Sequence, residues 1–199
     1  MSAASTTAAA IVAGGHARRL GGQDKSRLVV EGRTIIVRQV EILQRVADEV
    51  FVAGGDSEQY ADLGLRAYAD VLPGIGAIGG ILTALTVSPA ESVIVVACDL
   101  PFLEPNLLEA LVDASAGHDA AWVRTARGVE PFVACYRRSA RERVRARIET
   151  GQLKAAELAQ AIDIAELGPD EVARYGPLER LLANVNTPAD YARVQYGSS

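Results

Sequence analysis

The chain has 199 residues, of which 49% are hydrophobic and 23% are charged, and its formal net charge at pH 7 is −5. This composition predicts a normal buried core in one large domain or two small ones, and the negative charge argues against a nucleic-acid-binding protein that works through bulk electrostatics. No apolar run has the length of a membrane span, and the two cysteines show neither metal-ligand nor disulfide spacing.

The first ten residues lack the basic and apolar regions of a signal peptide. We therefore expect a cytoplasmic protein that binds neither nucleic acid nor membrane. We also expect a monomer.

Strand-like and helix-like segments alternate through the first two thirds of the chain. Apolar residues at Ile36, Val40 and Leu43 recur at helical spacing, whereas residues 92–99, SVIVVACD, are apolar on both faces, as in a central parallel strand. This alternation predicts a mostly parallel sheet with helices on both faces. The predicted strands are residues 8–13, 49–54, 65–70 and 92–99, and the predicted helices are residues 34–47, 57–64, 78–87 and 104–116.

The last third of the chain follows a different pattern. Residues 120–125 and 130–136 predict the two strands of a hairpin, and residues 137–150 predict a strongly basic helix. The further elements predicted are a helix over 153–161, a strand over 162–167 and a last helix that begins at Thr187-Pro188.

A glycine-rich basic loop, IVAGGHARRLGGQDKS over residues 11–26, includes the end of the first predicted strand. Its glycines allow backbone N–H groups to approach an anion closely, and Arg18, Arg19 and Lys25 add positive charge. It is not a Walker A loop, because Asp24 occupies the position of the required glycine. Since ligands bind beyond the ends of parallel strands, we interpret the loop as a polyphosphate site, with a solvated surface loop as the alternative.

Two carboxylates, Asp70 and Asp99, each stand at the end of a predicted strand. The carboxyl ends of parallel strands meet at one edge of a sheet, so both residues are expected near the glycine-rich loop. Mg²⁺ prefers one or two carboxylates together with substrate phosphates. The pattern therefore favours a magnesium–phosphate site, and the alternative for each residue is an ordinary turn or helix cap.

Residues 74–79, GIGAIG, match the dinucleotide pattern G-x-G-x-x-G, and Asp99 lies twenty residues further on. That fingerprint follows its strand directly, but here residues 71–73 separate the segment from Asp70. We interpret it as a loop where a base or ribose lies against backbone. A nicotinamide or flavin dinucleotide site is the alternative.

Three motifs together resemble the MobA-like nucleotidyltransferases. VAGGHARRLGGQDKS resembles their L-A-G-G-x-x-x-R-M-G-x-x-K loop, ACDLPFL resembles their metal-binding Asp-x-Pro turn, and NVNTPADY resembles their Asn-x-Asn-Thr-Pro segment. Among the members, the molybdenum cofactor guanylyltransferases are the most similar. The resemblance implies a three-layer α/β/α fold with a mostly parallel, Rossmann-like sheet.

The resemblance also implies an enzyme that transfers GMP from GTP to Mo-molybdopterin, with Mg²⁺ as cofactor. Molybdopterin guanine dinucleotide forms and pyrophosphate leaves. Implied as catalytic are Lys25, Asp99 and Arg19, with Asp99 as the metal ligand. Implied as nucleotide-binding are Val12, Ala13, Gly14, Gly15, Lys25, Ala53, Asp70, Gly79 and Asp99. Implied as acceptor-binding are Asn184, Asn186 and Lys154.

The chain departs from the family pattern in three places. Ala77 replaces the proline of the Gly-Pro-Leu-Ala-Gly loop, and the second strand ends in residues 53–55, AGG, where an asparagine is frequent. Lys154 stands where the late Gly-x-x-Arg segment has its arginine. These changes leave the expected reaction type intact but alter the expected contacts to base and acceptor.

Several alternatives stay open at this stage. One is a cytidylyltransferase on the same cofactor or a sugar-phosphate nucleotidyltransferase, and another is a nucleotide-binding module without catalysis. The doubled glycine at residues 14–15 favours guanine by resemblance, because cytidylyl relatives usually read AAG.

We expect one nucleotidyltransferase domain over residues 1–199, with a nucleotide-binding half at about 8–116 and an acceptor-binding half at about 117–195. Molybdoenzymes or their chaperones are the expected transient partners. The basic helix over residues 137–150 is either a solvated face paired with glutamates or a cationic rim for the pterin phosphate or a partner.

Overall fold

The computed structural model describes residues 6–13, 19–20 and 23–196. The strands are β1 (Thr7–Val12), β2 (Arg19–Leu20), β3 (Gln23–Asp24), β4 (Val29–Val30), β5 (Arg33–Thr34), β6 (Glu49–Ala53), β7 (Arg66–Tyr68), β8 (Ser92–Ala97), β9 (Ala120–Thr125), β10 (Gly128–Arg137) and β11 (Ile164–Leu167). The α-helices are α1 (Ile35–Leu43), α2 (Ala77–Val87), α3 (Pro105–Ala114), α4 (Arg141–Glu149), α5 (Pro169–Val172), α6 (Leu178–Leu181) and α7 (Pro188–Tyr196).

Seven strands form the central sheet in the order β11-β9-β10-β8-β1-β6-β7. Strand β1 lies between β6 and β8 and is parallel to both, β7 is parallel to β6, and β11 is parallel to β9. Only β10 runs against its neighbours, β8 and β9, within this sheet. The sheet is therefore mostly parallel, and the predicted hairpin over residues 120–136 is confirmed.

Helices cover both faces of the sheet. Successive residues of a strand point to opposite faces, so neighbouring residues of β1 pack against different helices. Ile11 packs in one buried cluster with residues of α1 and α3, such as Ile36 and Leu108. Val12, the next residue, packs in a second cluster with residues of α2 and α4, such as Ile81. This arrangement confirms the predicted three-layer α/β/α architecture. Across the described ranges, no helix combines the length and the apolar character that a membrane crossing requires.

Two predicted helices have different ends in the structure. The helix predicted over 34–47 ends at Leu43, because the next turn continues with tighter i→i−3 bonds, such as the one from Arg45 N to Ile42 O. The helix predicted over 137–150 begins at Arg141, because β10 continues to Arg137 and a 3₁₀ turn follows it.

Two other predicted helices are 3₁₀ helices, Ser57–Leu63 and Ala155–Gln160. Asp56 caps the start of the first, because its side chain accepts a bond from Glu58 N, and Gly64 caps the end in the left-handed region with φ of 65°. Such tight turns suit short connections between a strand end and the next strand.

Helix α2 lies directly on the end of β1, and Gly80 makes this approach possible. A Cβ atom at Gly80 would lie only 2.4 Å from Val12 Cγ1. At the preceding residue, Gly79, a Cβ would meet the half-buried and flexible Ile75 side chain at 2.9 Å. A Cβ atom can therefore be accommodated more easily at Gly79, where Ile75 can move, than at Gly80, where Val12 is packed in the core.

We expect Gly80→Ala to be less stable than Gly79→Ala by about 1–3 kcal/mol, the usual cost of overpacking a core. Both substitutions gain similar helix propensity, so their difference reports the contact with Val12. Urea unfolding measures the free energies. Adding Val12→Ala to Gly80→Ala should recover part of the loss, and a double variant with no recovery would assign the loss to another cause.

Candidate functional site

The carboxyl ends of four parallel strands meet at one edge of the sheet. Backbone bonds hold neighbouring ends together: Cys98 N donates to Val12 O at 3.1 Å, and Ala13 N donates to Ala53 O at 2.9 Å. Asp70 lies two residues beyond β7, and Asp99 lies two residues beyond β8. The structure therefore brings the predicted strand-end residues to one edge.

A buried lysine forms the centre of this edge. Lys25 is 3% exposed, and its Nζ donates a hydrogen bond to Asn186 Oδ1 at 2.6 Å. The same Nζ lies 4.0 Å from Asp99 Oδ2. Residues from the three sequence motifs are thus in one cluster, which we call the Lys25–Asp99–Asn186 cluster.

The C-terminal segment is attached to the turn that carries Asp99. Val185 is fully buried, and its N–H donates to Asp99 O at 3.0 Å. Asn184 and Asn186, both exposed, flank Val185. The Asp99 carboxylate and the two asparagines therefore share one small region, although more than eighty residues separate them in the chain.

The residues that hold Lys25 in position were not predicted. Asp24 caps the 3₁₀ helix that begins at Lys25, and its other carboxylate oxygen accepts from Gln59 Nε2 at 2.6 Å. Arg27 donates two bonds of 2.7 Å to Asp62 and a further bond to the Gln59 carbonyl. The 3₁₀ helix after β6 thus anchors the chain on both sides of Lys25. The available signal was Asp24 itself, since aspartate is a preferred N-cap residue.

The surroundings of Asp99 disfavour its own charge. Burial raises the pKa of Asp99, and the positive charge of Lys25 partly opposes this effect. A cation or a further positive group beside the carboxylate would therefore stabilise its ionised form.

The donor set at this edge suits a magnesium ion that shares its coordination with a ligand. Within the described ranges, no three His, Cys, Asp or Glu side chains are grouped so that they could hold a metal. Asp99 is a single, mostly buried carboxylate, and Mg²⁺ is usually bound through one or two carboxylates, water and substrate phosphates. Asp99 therefore fits the metal role that the sequence predicts for it, with the other donors supplied by ligand and water.

Asp70 lies at the same edge but makes its contacts elsewhere. Thr83 of α2 donates to Asp70 Oδ1 at 3.4 Å, and Thr83 Oγ1 accepts from Val71 N at 3.1 Å. Burial raises the pKa of Asp70, and the bond from Thr83 works against this. Gly79 is buried at the start of α2, close to the same turn.

The remaining predicted site residues are less closely connected. The side chain of Lys154 is 80% exposed and pairs with Glu157 at 3.2 Å, so its described contacts do not join it to Lys25. Gly14 and Gly15 lie outside the described residues. Arg19 belongs to β2, but its side chain is not among those described.

Most arginines of the basic helix and its approach have acidic partners, whereas Arg138 donates to the Pro89 carbonyl. Arg141 and Arg145 pair with Glu142, and Arg137 pairs with Glu91. This pairing favours the interpretation as a charge-balanced, solvated face for these three arginines, whereas Arg147 is buried and pairs with Glu157.

Comparison with known proteins identifies the family. The model of the MobA-like NTP transferase domain matches residues 9–167. The chain belongs to the MobA-like NTP transferase family. The predicted family and nucleotidyltransferase class are thereby confirmed.

Relatives within the family match nearly the whole chain. The "Probable molybdenum cofactor guanylyltransferase" of Chloroflexus aggregans is 34% identical over 198 residues, which cover 93% of this chain and 91% of the relative. The protein of the same name from Pelotomaculum thermopropionicum is 30% identical over 185 residues, 93% of this chain and 90% of its own. The crystal structure of molybdopterin-guanine dinucleotide biosynthesis protein A from Archaeoglobus fulgidus has a TM-score of 0.79 at 26% identity, and covers 94% of this chain and 96% of that one.

In the metal-free protein, we expect Lys25→Met to raise the pKa of Asp99, because the variant removes the charge that opposes the effect of burial. A raised native-state pKa means that the native protein holds this proton more tightly than the unfolded chain. The contribution of Asp99 to stability therefore falls as the pH rises from the ordinary carboxyl pKa to the native one. In Lys25→Met this fall should extend to higher pH.

A ¹³C NMR titration of the carboxyl carbons measures the pKa directly. Lys154→Met is the matched control, because Lys154 is the other lysine of the chain and its side chain is 80% exposed. The control should leave the Asp99 titration unchanged. An equal or lower pKa in Lys25→Met would show that the ammonium does not act on this carboxylate.

Proposed function

We propose that this protein is a molybdenum cofactor guanylyltransferase, which transfers GMP from GTP to Mo-molybdopterin and releases pyrophosphate. The observation that carries the proposal is the Lys25–Asp99–Asn186 cluster at the carboxyl edge of a MobA-like sheet. The names of the relatives support guanine as the base and the molybdenum cofactor as the acceptor.

Lys25 binds phosphate oxygens of GTP in this proposal. Its ammonium is nearly excluded from water and is directed by the Asn186 bond, so it can meet an anion with little reorganisation. A lysine is a compact point charge that suits phosphate in a confined space. Arg19 and Gly15 are proposed to surround the same phosphates, and Gly14 is proposed to line the nucleoside part of the site.

Asp99 is proposed to hold Mg²⁺, which when bound neutralises charge on the α-phosphate and on the departing pyrophosphate. The position of the carboxylate, 4.0 Å from Lys25 Nζ, gives the edge one cationic and one cation-binding group side by side. Val12, Ala13, Ala53, Asp70 and Gly79 are proposed to line the nucleoside part of the site.

The acceptor approaches from the side of Asn184 and Asn186 in this proposal, with Lys154 as a more distant contact. An oxygen of its terminal phosphate attacks the α-phosphorus, and the bond from that phosphorus to the bridging oxygen of pyrophosphate breaks. The attacking phosphate is already ionised, so the reaction needs no strong general base. Orientation and charge neutralisation are then the main contributions of the protein.

We expect GTP to bind at least about tenfold more tightly than CTP, UTP or ATP. Buried polar groups that match one base are left unpaired when another base binds. Calorimetric titration with each nucleotide in the presence of Mg²⁺ measures the difference. Equal or tighter binding of CTP would replace the guanylyl proposal with the cytidylyl one.

We expect Asp99→Asn to lower kcat for guanylyl transfer by about 10²- to 10⁴-fold, since metal assistance is worth several kcal/mol and about 1.4 kcal/mol is tenfold in rate. GTP binding should fall less than turnover and should lose its dependence on Mg²⁺. Steady-state pyrophosphate release with Mo-molybdopterin as acceptor gives kcat.

Asp113→Asn is the control for the loss of one carboxylate, because Asp113 is exposed on α3 and lies in no predicted site. It should behave as wild type, and circular dichroism should show that both variants are folded. A folded Asp99→Asn enzyme with Mg²⁺-dependent turnover close to normal would mean that the metal binds elsewhere. A protein that binds GTP without transferring GMP would instead be a nucleotide-binding module.

A further inference from the structure

Helix α1 carries a polar residue in the middle of its buried face. Gln39 is 1% exposed and lies between the fully buried apolar residues Ile36 and Leu43 along that face. Helical spacing alone would fill this position with an apolar side chain. A glutamine there needs hydrogen-bond partners inside the core.

Both partners belong to the turn that carries Asp99. Gln39 Nε2 donates to Ala97 O at 2.7 Å and to Leu100 O at 2.9 Å. These two carbonyls stand on either side of Cys98 and Asp99 in the chain. One side-chain amide thus bridges the two ends of the turn.

The orientation of the amide is determined by these bonds. The reverse orientation would place Oε1 against two carbonyl oxygens, which cannot donate. In the observed orientation Oε1 is buried and has no hydrogen-bond partner among the described residues. A buried unpaired acceptor costs about 1–3 kcal/mol, so an apolar side chain would serve the core at lower cost.

The neighbouring residue adds a second contact to the same segment. Arg38 Nε donates to Pro101 O at 3.0 Å. Together with the bond from Val185 N to Asp99 O, the turn is held from α1 and from the C-terminal segment. Gln39 is the member of this set that binds on both sides of Asp99.

We propose that Gln39 is a positioning residue for the reaction, which holds the Cys98–Asp99 turn so that the Asp99 carboxylate stays beside the Lys25 ammonium. This inference rests on the proposed function for its kinetic consequence. Without the two bonds, the turn can rotate while the sheet below it remains folded. The loss then falls on metal-dependent turnover rather than on the fold.

Gln39→Met is the main test, because methionine has a similar length and no donors. We expect it to lower kcat and the affinity for Mg²⁺ by about 10- to 100-fold each, the usual cost of losing a group that orients a metal ligand. GTP binding measured without metal should stay near wild type. Hydrogen exchange of the amides of residues 98–100 should become faster.

Leu43→Ala is the matched control. Leu43 lies on the same buried face of α1, one turn further from the site, and its truncation leaves a cavity in the same core cluster. It should lower stability at least as much as Gln39→Met, yet keep the kcat, the Mg²⁺ requirement and the amide exchange rates of residues 98–100. Equal kinetic effects in the two variants would overturn the proposal.

Gln39→Glu provides a second variant if Gln39→Met does not fold. A protonated carboxyl can donate one bond to a carbonyl, whereas the ionised form donates none. The turnover of Gln39→Glu relative to wild type should therefore rise as the pH falls. Wild-type turnover of Gln39→Glu at a pH where the introduced carboxyl is ionised would contradict the role of the donated bonds.

The exchange measurement separates this inference from the proposed function. Wild-type protein with no guanylyl transfer would count against the proposed function, while faster exchange at residues 98–100 in Gln39→Met alone would still support the role of Gln39 in holding the turn. Unchanged exchange in Gln39→Met would overturn that role, whatever the activity of the wild type.

Discussion

The ammonium of Lys25, almost completely removed from water, is the constraint on which the site depends. Burying an ion costs several kcal/mol, and two charges 4 Å apart attract each other by about 4 kcal/mol near a protein surface. The attraction to Asp99 therefore does not fully offset the cost of burying both groups, and the bond to Asn186 supplies part of the remainder. An arrangement of this kind gains most when a further anion and cation arrive together, as in the proposed binding of a nucleotide with magnesium.

The topology explains why these groups meet. Strands β7, β6, β1 and β8 are parallel neighbours, so their carboxyl ends form one continuous edge. Strand β10 runs the other way beside β8, and the parallel set ends there. Asp99 therefore stands at the border between the parallel set and the antiparallel hairpin. The proposed division into a nucleotide-binding and an acceptor-binding half follows the same border.

Much of the sheet and part of the site could be predicted from the sequence. Buried strands such as β8 leave long apolar runs, and the position of Asp99 beyond β8 follows from the rule on strand ends. The two-residue strands β2 to β5 leave no such pattern, and the difference between a short α-helix and a 3₁₀ helix depends on tertiary context. The contact of Lys25 with Asn186 spans 161 residues. The motif resemblance assigned both residues to the site but did not predict that they touch. The only sequence signal at Gln39 is a polar residue on an apolar helix face, and its hydrogen-bond partners could be identified only from the structure.

Contacts from three directions hold the carboxyl ends of the strands at the site. Each contact either lowers stability or restricts which residue can occupy the position. From one face of the sheet, Gln39 leaves its own carbonyl oxygen unpaired in order to bind the turn. On the other face, Gly80 has no Cβ atom, and this absence allows α2 to pack closely on Val12. From the C-terminal segment, Val185 inserts into the core and bonds to the Asp99 carbonyl. Residues selected for stability alone would replace Gln39 with an apolar side chain. The presence of Gln39 indicates that the position of the strand end, rather than the stability of the core, determines which residue stands there.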